Sequence, residues 1–467
     1  MTVSTLWQEV RRPRRRWLWW IASAVVGVGA WHLAGAIASP AAAYSLGVLA
    51  AGAFLWATNA LPVAVTGVVV LFLLSFGKGE AVQTTYRSFG SEAVFFILGA
   101  FMLASPVMRS GLSKRVALWV MTHFGNTKRT LVGSILVTAA GLSLFVSEHV
   151  VVAMLLPIVV EVLEATEARK GGRFAVGMML ALAWGAVIGG TGTLLGGARG
   201  ALALGVLEKV TGGHISFAEW MAWNLPNVVV LLAIGGFLAL LLVRGQRIPL
   251  AAARARLRED ARAMGPMSRR EKLTGLILVG TVVLWIVVGE SWGLDTVAFI
   301  GVLAAFFFQV ASWKEVEEDV NWGIILMYAS AIALGQVLVE TGAAALLADW
   351  LMRPAGMATG ATLAVVAVAA AGLTEAMSNT AAVAVLMPVA LAVATKVGLD
   401  PRAATMAVAT PAGLAFLLPA STPAIAMVAG TGYVSMKQVF ARGLALKALS
   451  IPVFLVLAWT WWPLVMR

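Results

Sequence analysis

Cysteine is absent from the 467 residues, which excludes disulfides and thiolate metal sites. Histidine is nearly as scarce: His32, His123, His149 and His214 are scattered too widely to form an obvious ligand set. Charge is sparse too. Only 12% of residues are charged and 60% are hydrophobic, and a mean hydropathy of +0.91 excludes a soluble globular domain. Catalytic signatures are missing: there is no H-E-x-x-H, no G-x-S-x-G and no paired catalytic carboxylates. The glycine-rich stretch 189–200 reads G-x-G-x-x-x-G at Gly190, Gly192 and Gly196, with no preceding strand, so the dinucleotide-loop reading fails.

What is present is a series of long apolar runs. At about 20 apolar residues per spanning helix, the chain has room for ten or more crossings and reads as an all-α polytopic membrane protein in a lipid bilayer. The net charge of +12 would suggest nucleic acid in a soluble protein, but here the basic residues flank apolar runs. Arg11, Arg12, Arg14, Arg15 and Arg16 precede the first run, Lys114, Arg115, Arg169, Lys170 and Arg173 flank later ones, and nine Arg or Lys lie between Arg244 and Lys272. By the positive-inside rule these segments face the cytoplasm; an anionic-lipid or nucleic-acid patch is the lesser reading of 244–272.

The chain is organised around a polar knot. Leu373 to Pro388 carries Thr374, Ser378, Asn379 and Thr380 inside an apolar run, and polar side chains at membrane depth mark a site by default. Leu142 to Pro157 aligns with it without a gap at an offset of 231, placing Ser143 over Thr374, Ser147 over Ser378, Glu148 over Asn379 and His149 over Thr380. Each lies in a run too long for one span and polar at its middle, which predicts re-entrant hairpins at 131–163 and 361–393. A glycine-broken span (189–200) follows the first hairpin, and a second span interrupted at P-A-S-T-P-A (419–424) follows the other. The predicted organisation is a basic cytoplasmic tail (1–16), scaffold helices (17–93), a first repeat (94–243), a basic cytoplasmic loop (244–272), linking scaffold helices (273–322) and a second repeat (323–467). About eleven transmembrane helices result. An odd number of crossings separates each element from its copy, so the repeat is inverted, with the N-terminus cytoplasmic and the C-terminus outside the inner (plasma) membrane.

S-N-T at Ser378 to Thr380 with T-E before it, P-A-S-T-P at Pro419 to Pro423, G-T-G-Y-V at Gly430 to Val434, G-G-x-G-T-L-x-G at Gly189 to Gly196, and F-x-x-W-x-x-x-N-L-P at Phe217 to Pro226 together resemble the divalent anion:sodium symporter family. That family includes sodium-coupled dicarboxylate, citrate and sulfate carriers. The resemblance implies a homodimeric elevator-type transporter whose hairpin tips each hold a sodium ion, helped by carbonyls of the broken helices. Carried over by position, a sodium site would use Thr374, Ser378, Asn379, Ala420 and Ser421. Ser378, Asn379, Thr380, Thr422 and Pro423 would meet the substrate, a small divalent anion and most readily a C4-type dicarboxylate.

The first site departs from that pattern. S-E-H replaces S-N-T at the tip, and Gly197-Ala198-Arg199-Gly200 replaces the T-P-P-N that the resemblance leads one to expect. Ser143, Ser147, Glu148, Gly196 and Arg199 therefore form a rebuilt ion site, with Glu148, His149 and Arg199 as substrate-facing candidates. The blander readings are a structural Glu148–Arg199 ion pair, a His149 bonded to backbone, and Ser378 and Asn379 as helix caps. Sodium is expected at one site, with a sodium-independent exchanger or an inorganic-anion carrier as the alternative. An anion channel and a membrane-embedded enzyme are the competing classes.

Overall fold

The computed structural model describes residues 16–76, 85–352 and 359–466; the arginines from 11 to 15 of the basic tail lie outside them. The apolar runs become helices, several of them started by side-chain caps. Helix α1 (Arg16–Gly35) leads to α2 (Pro40–Thr58), capped by Ser39, then α3 (Val63–Ser75) and α4 (Glu92–Arg109). The amphipathic α5 (Leu112–Phe124) follows. Next come the hairpin arms α6 (Lys128–Ser143) and α7 (Glu148–Ala165), the broken pair α8 (Arg173–Gly189) and α9 (Ala198–Thr211), and the long α10 (Phe217–Val243). The basic loop holds α11 (Ala251–Ala263); α12 (Arg269–Val287), the one-turn α13 (Gly289–Trp292), α14 (Leu294–Phe307) and α15 (Trp313–Asp319) link it to the second repeat. That repeat runs α16 (Trp322–Glu340), α17 (Ala343–Met352), hairpin arms α18 (Thr359–Ala376) and α19 (Asn379–Val397), broken pair α20 (Pro401–Gly413) and α21 (Pro423–Gly430), then α22 (Met436–Thr460) and α23 (Trp462–Val465).

Among the described residues there is no strand, and eight helices are long and apolar enough to cross a membrane. Capping boxes open α6 (Thr127 and Thr130), α10 (Ser216 and Glu219), α12 (Ser268 and Glu271), α15 (Ser312 and Glu315) and α22 (Ser435 and Gln438). Each satisfies amide donors that the first helical turn leaves free. Both hairpins are longer than their apolar runs because capped polar residues extend the arms.

Helix α8 is buried along its length, from Phe174 to Gly189. A helix apolar all round belongs to a core, and α6, α7 and α10 pack around this one. Leu33 (79% exposed) and Phe307 (80%) turn outward instead; in a bilayer such side chains meet acyl chains.

Arg115 of α5 anchors the basic loop. Its guanidinium donates to both Glu271 carboxylate oxygens (2.7 and 3.1 Å) and to the carbonyls of Met264, Gly265 and Pro266. Glu271, in the first turn of α12 and outside its apolar span, is held down to about 2 by the Arg115 hydrogen bond. An unfolded glutamate titrates near ~4.3. The stability from this pair is therefore complete above that value and is lost as pH falls towards about 2. Replacing Arg115 by Ala leaves a buried carboxylate unpaired, at a cost on the order of 3 kcal/mol. The expected outcome is a lower unfolding temperature in detergent at pH 7, faster proteolysis within 244–268, and a flatter stability profile between pH 5 and 3.

Candidate functional site

The two hairpin tips meet. Glu148, first residue of α7, and Asn379, first residue of α19, touch at 3.4 Å (Nδ2 to Oε1) across 231 residues of sequence. Both occupy the same place in their repeats, so the contact lies where the repeats cross. The broken helices deliver the remaining partners. Arg199, in the first turn of α9, places Nη1 at 3.3 Å from Glu148 Oε2, and Thr422, the N-cap of α21, donates its hydroxyl to Oε1 at 2.7 Å. Four elements thus converge on one carboxylate.

Glu148 and Arg199 are only 6% and 4% exposed. A buried charge needs partners, and the chain makes room for this one with glycine: a Cβ at Gly197 or Gly413 would overlap the guanidinium. Arg199 Nη2 is buried without a hydrogen-bond partner, as is the hydroxyl of Tyr328, a buried residue of α16 within electrostatic reach of Arg199. Glu148 is also fixed through its backbone, its N–H donating to the Gly196 carbonyl at 3.2 Å.

Beside this pair lies a cluster of oxygens. Thr374 Oγ1 is 2.7 Å from both the Ala412 carbonyl and the Asn379 side-chain oxygen. The Asn379 amide is satisfied in one orientation, with its nitrogen inward and within reach of Thr374 Oγ1 (2.7 Å), the Ser421 carbonyl (3.0 Å) and the Ala412 carbonyl (3.2 Å), so that its two hydrogens serve two of these three oxygens. Turned the other way, its N–H would reach Glu148 and four oxygens would gather around a single hydroxyl hydrogen, an arrangement that needs a cation among them.

The other sequence-predicted residues divide. Ser378 uses its hydroxyl to cap α19, accepting from the Ala381 N–H at 3.3 Å. Ser143, counterpart of Thr374, is buried with its hydroxyl unpartnered. Ser147 is buried at the tip but does not cap α7. His149 and Thr380 are half-buried, Ala420 is half-buried, Ser421 is buried and Pro423 is exposed. Sequence reasoning missed the Ala412 carbonyl and Gly413, because a backbone oxygen and an absent side chain leave no polar signal.

Among the described residues no group of three or more His, Cys, Asp or Glu is placed to hold a metal; the donors at the tips are hydroxyl, amide and carbonyl oxygens and the Glu148 carboxylate. A cavity of about 820 Å³ opens elsewhere, between α4, the α13 region and the adjoining ends of α9 and α10. Glu92, Glu208, Glu219, Glu290 and Asp295 line it, which makes it a poor place for an anion.

Known proteins similar to this chain agree with the fold. A sodium-dependent dicarboxylate transporter, SdcS, of Staphylococcus saprophyticus is 28% identical over 432 residues, covering 86% of this chain and 83% of the relative. Its namesake in Staphylococcus aureus (strain NCTC 8325 / PS 47) is 26% identical over 438 residues, covering 88% and 84%. The crystal structure of the Alcanivorax borkumensis YdaH transporter superposes with a TM-score of 0.58 at 15% identity, over 86% of this chain and 98% of that one. Neisseria gonorrhoeae MtrF gives 0.57 at 13%, over 86% and 96%. The family described as "Sodium:sulfate symporter transmembrane region" matches residues 15–467, nearly the whole sequence, and the chain belongs to that family.

Proposed function

We propose that the protein is a secondary active transporter of a small divalent anion, a C4-type dicarboxylate in the first instance, coupled to sodium at the second hairpin. The observation that carries this reading is the junction at the tips: an oxygen cluster suited to a hard cation beside a buried guanidinium with a free donor. The sodium-dependent dicarboxylate transporters among its relatives support the substrate class. Sodium would take the Thr374 hydroxyl, the Asn379 amide oxygen and the carbonyls of Ala412 and Ser421. Arg199 would stand at the first site as a tethered cation, oriented by Glu148. His149, Thr380, Thr422 and Pro423 would line the anion's side of the junction. The protein would work as a homodimer in the inner (plasma) membrane, the hairpins and broken helices moving as an elevator against the scaffold.

Under this reading sodium does two things. It neutralises the gathered oxygens, and it turns the Asn379 amide so that its N–H meets Glu148. Asn379→Ala and Thr374→Ala should each raise the half-saturating sodium concentration about tenfold, equal to about 1.4 kcal/mol. Ser378→Ala removes only a cap, about 1 kcal/mol of stability, and should leave the sodium response nearly unchanged. Sodium titration of uptake in proteoliposomes checks all three; unchanged curves for Asn379→Ala and Thr374→Ala would refute the assignment.

A permanent cation cannot leave at the end of each cycle, so the first site should add nothing to the sodium stoichiometry. Arg199→Ala is expected to abolish counterflow of succinate at every sodium concentration. Glu148→Asn, which restores the tip of the resembled pattern, should retain folding but weaken transport. Normal counterflow in Arg199→Ala, with sodium or pH dependence lost in Glu148→Asn, would instead make Glu148 the ion-binding group.

Contacts between helix ends support the topology. Arg109 pairs with Asp319 at 2.7 Å, the Gly171 N–H donates to the Tyr433 carbonyl at 3.1 Å, and Arg402 approaches Glu219 at 3.6 Å. Each joins ends that eleven crossings put on one side. Reporter fusions should place the N-terminus and the loop 244–272 in the cytoplasm and the C-terminus outside; both termini on one side would overturn the crossing count.

A further inference from the structure

Glu375 follows Thr374 directly, and its carboxylate reaches into the unwound segment between α20 and α21. Oε1 accepts from the Phe416 N–H at 3.2 Å, and Oε2 accepts from those of Leu417 and Leu418 at 3.3 Å each. Lys447 of α22 completes the arrangement. Its Nζ lies 3.0 Å from Glu375 Oε1 and donates to the Leu414 carbonyl at 2.7 Å. One turn earlier, Gly443 brings α22 so close to the Phe416 carbonyl that a Cβ would overlap it. Backbone groups that have no helix to satisfy them are thus held by one largely buried ion pair.

The first repeat handles the same place without charge. Leu144 follows Ser143 as Glu375 follows Thr374, and it packs with Val228 of α10 against Gly192 in the first break. Apolar packing and neutral hydrogen bonds, from the Thr193 hydroxyl to the Leu144 carbonyl and from the Trp220 indole to the Thr191 carbonyl, hold that break. A buried ion pair is commonly no more stabilising than well-packed apolar side chains, so packing alone does not account for Glu375 and Lys447.

We infer that Glu375 and Lys447 are positioning residues for cation binding at the second site. They fix the segment whose two ends present the Ala412 and Ser421 carbonyls, two of the three oxygens around the Asn379 amide, and so set the affinity of that site. This rests on the sodium reading of that cluster. The first break, where Arg199 supplies a tethered cation, needs no carbonyls tuned for an exchangeable one.

The test uses the full-length protein in detergent and in proteoliposomes, with Glu375→Gln, Lys447→Met, Lys447→Arg and the double variant E375L/K447V. Sodium-induced stabilisation against heat and the sodium dependence of succinate uptake are read separately from the sodium-free unfolding temperature. Glu375→Gln and Lys447→Met should raise the half-saturating sodium concentration about 10- to 100-fold, the range for groups that orient metal ligands, and Lys447→Arg should recover part of it. Either single variant leaves an unpaired buried charge and can fail to fold. E375L/K447V carries the apolar pair of the first repeat, avoids that, and should fold yet bind sodium weakly. A normal sodium response in the double variant, or a lowered unfolding temperature with an unchanged sodium titration in the single ones, would reduce the pair to a brace and overturn the inference. A wild-type protein indifferent to sodium would remove the underlying reading, and the inference with it.

Discussion

A carboxylate buried at the crossing of two repeats constrains everything near it. Removing Glu148 from water costs several kcal/mol, and that cost is offset only by close, well-oriented partners. Its oxygens meet Arg199, Thr422 and Asn379, one from each of the other three elements at the junction. Neither broken helix and neither hairpin can shift alone without exposing or orphaning that charge. The glycines at 197 and 413 are the steric counterpart, since the guanidinium lies where their side chains would be.

The repeats share geometry and differ in chemistry. Both hairpins turn at matching residues, both second arms carry a proline (Pro157 and Pro388), and both broken helices restart after an extended residue, at Ala198 and Pro423. At two matching positions one half is charged where the other is neutral: Glu148 against Asn379, and Leu144 against Glu375. The charges sit at the tip and helix start in the first repeat, and around the unwound segment in the second. In the proposed sodium-bound state Asn379 would join the halves, because the orientation that completes the oxygen cluster would also deliver its N–H to Glu148.

Much of this was legible in sequence. The gapless alignment of 142–157 with 373–388 located both tips, each at the start of a hairpin's second arm. The nearness of Glu148 and Arg199 also followed, since a hairpin tip and the break after it recur together. The ligand details did not. The Ala412 carbonyl belongs to a residue with no polar side chain, and the Glu375–Lys447 pair joins residues on different helices that no motif connects. Ser378 carried a true ambiguity: a serine before a helix is equally a cap and an oxygen ligand, and only geometry separates the two.

Charge counting takes the proposed mechanism one step further. Arg199 and Glu148 cancel, as do Lys447 and Glu375, so the empty junction is close to neutral. One sodium and one dianion then leave it a full negative charge, in surroundings where an uncompensated charge is strongly disfavoured. The tethered cation does not remove this deficit, because Glu148 already claims it; what Arg199 offers the anion is the free Nη2 donor. Neutrality requires one more positive charge, and the titratable groups at the tips are Glu148 itself and the half-buried His149 beside it. A proton on Glu148 would close the count by releasing Arg199 from its carboxylate. Under the proposed function, the change from S-N-T to S-E-H would exchange a site for a mobile sodium for one where a fixed guanidinium and a proton share its work.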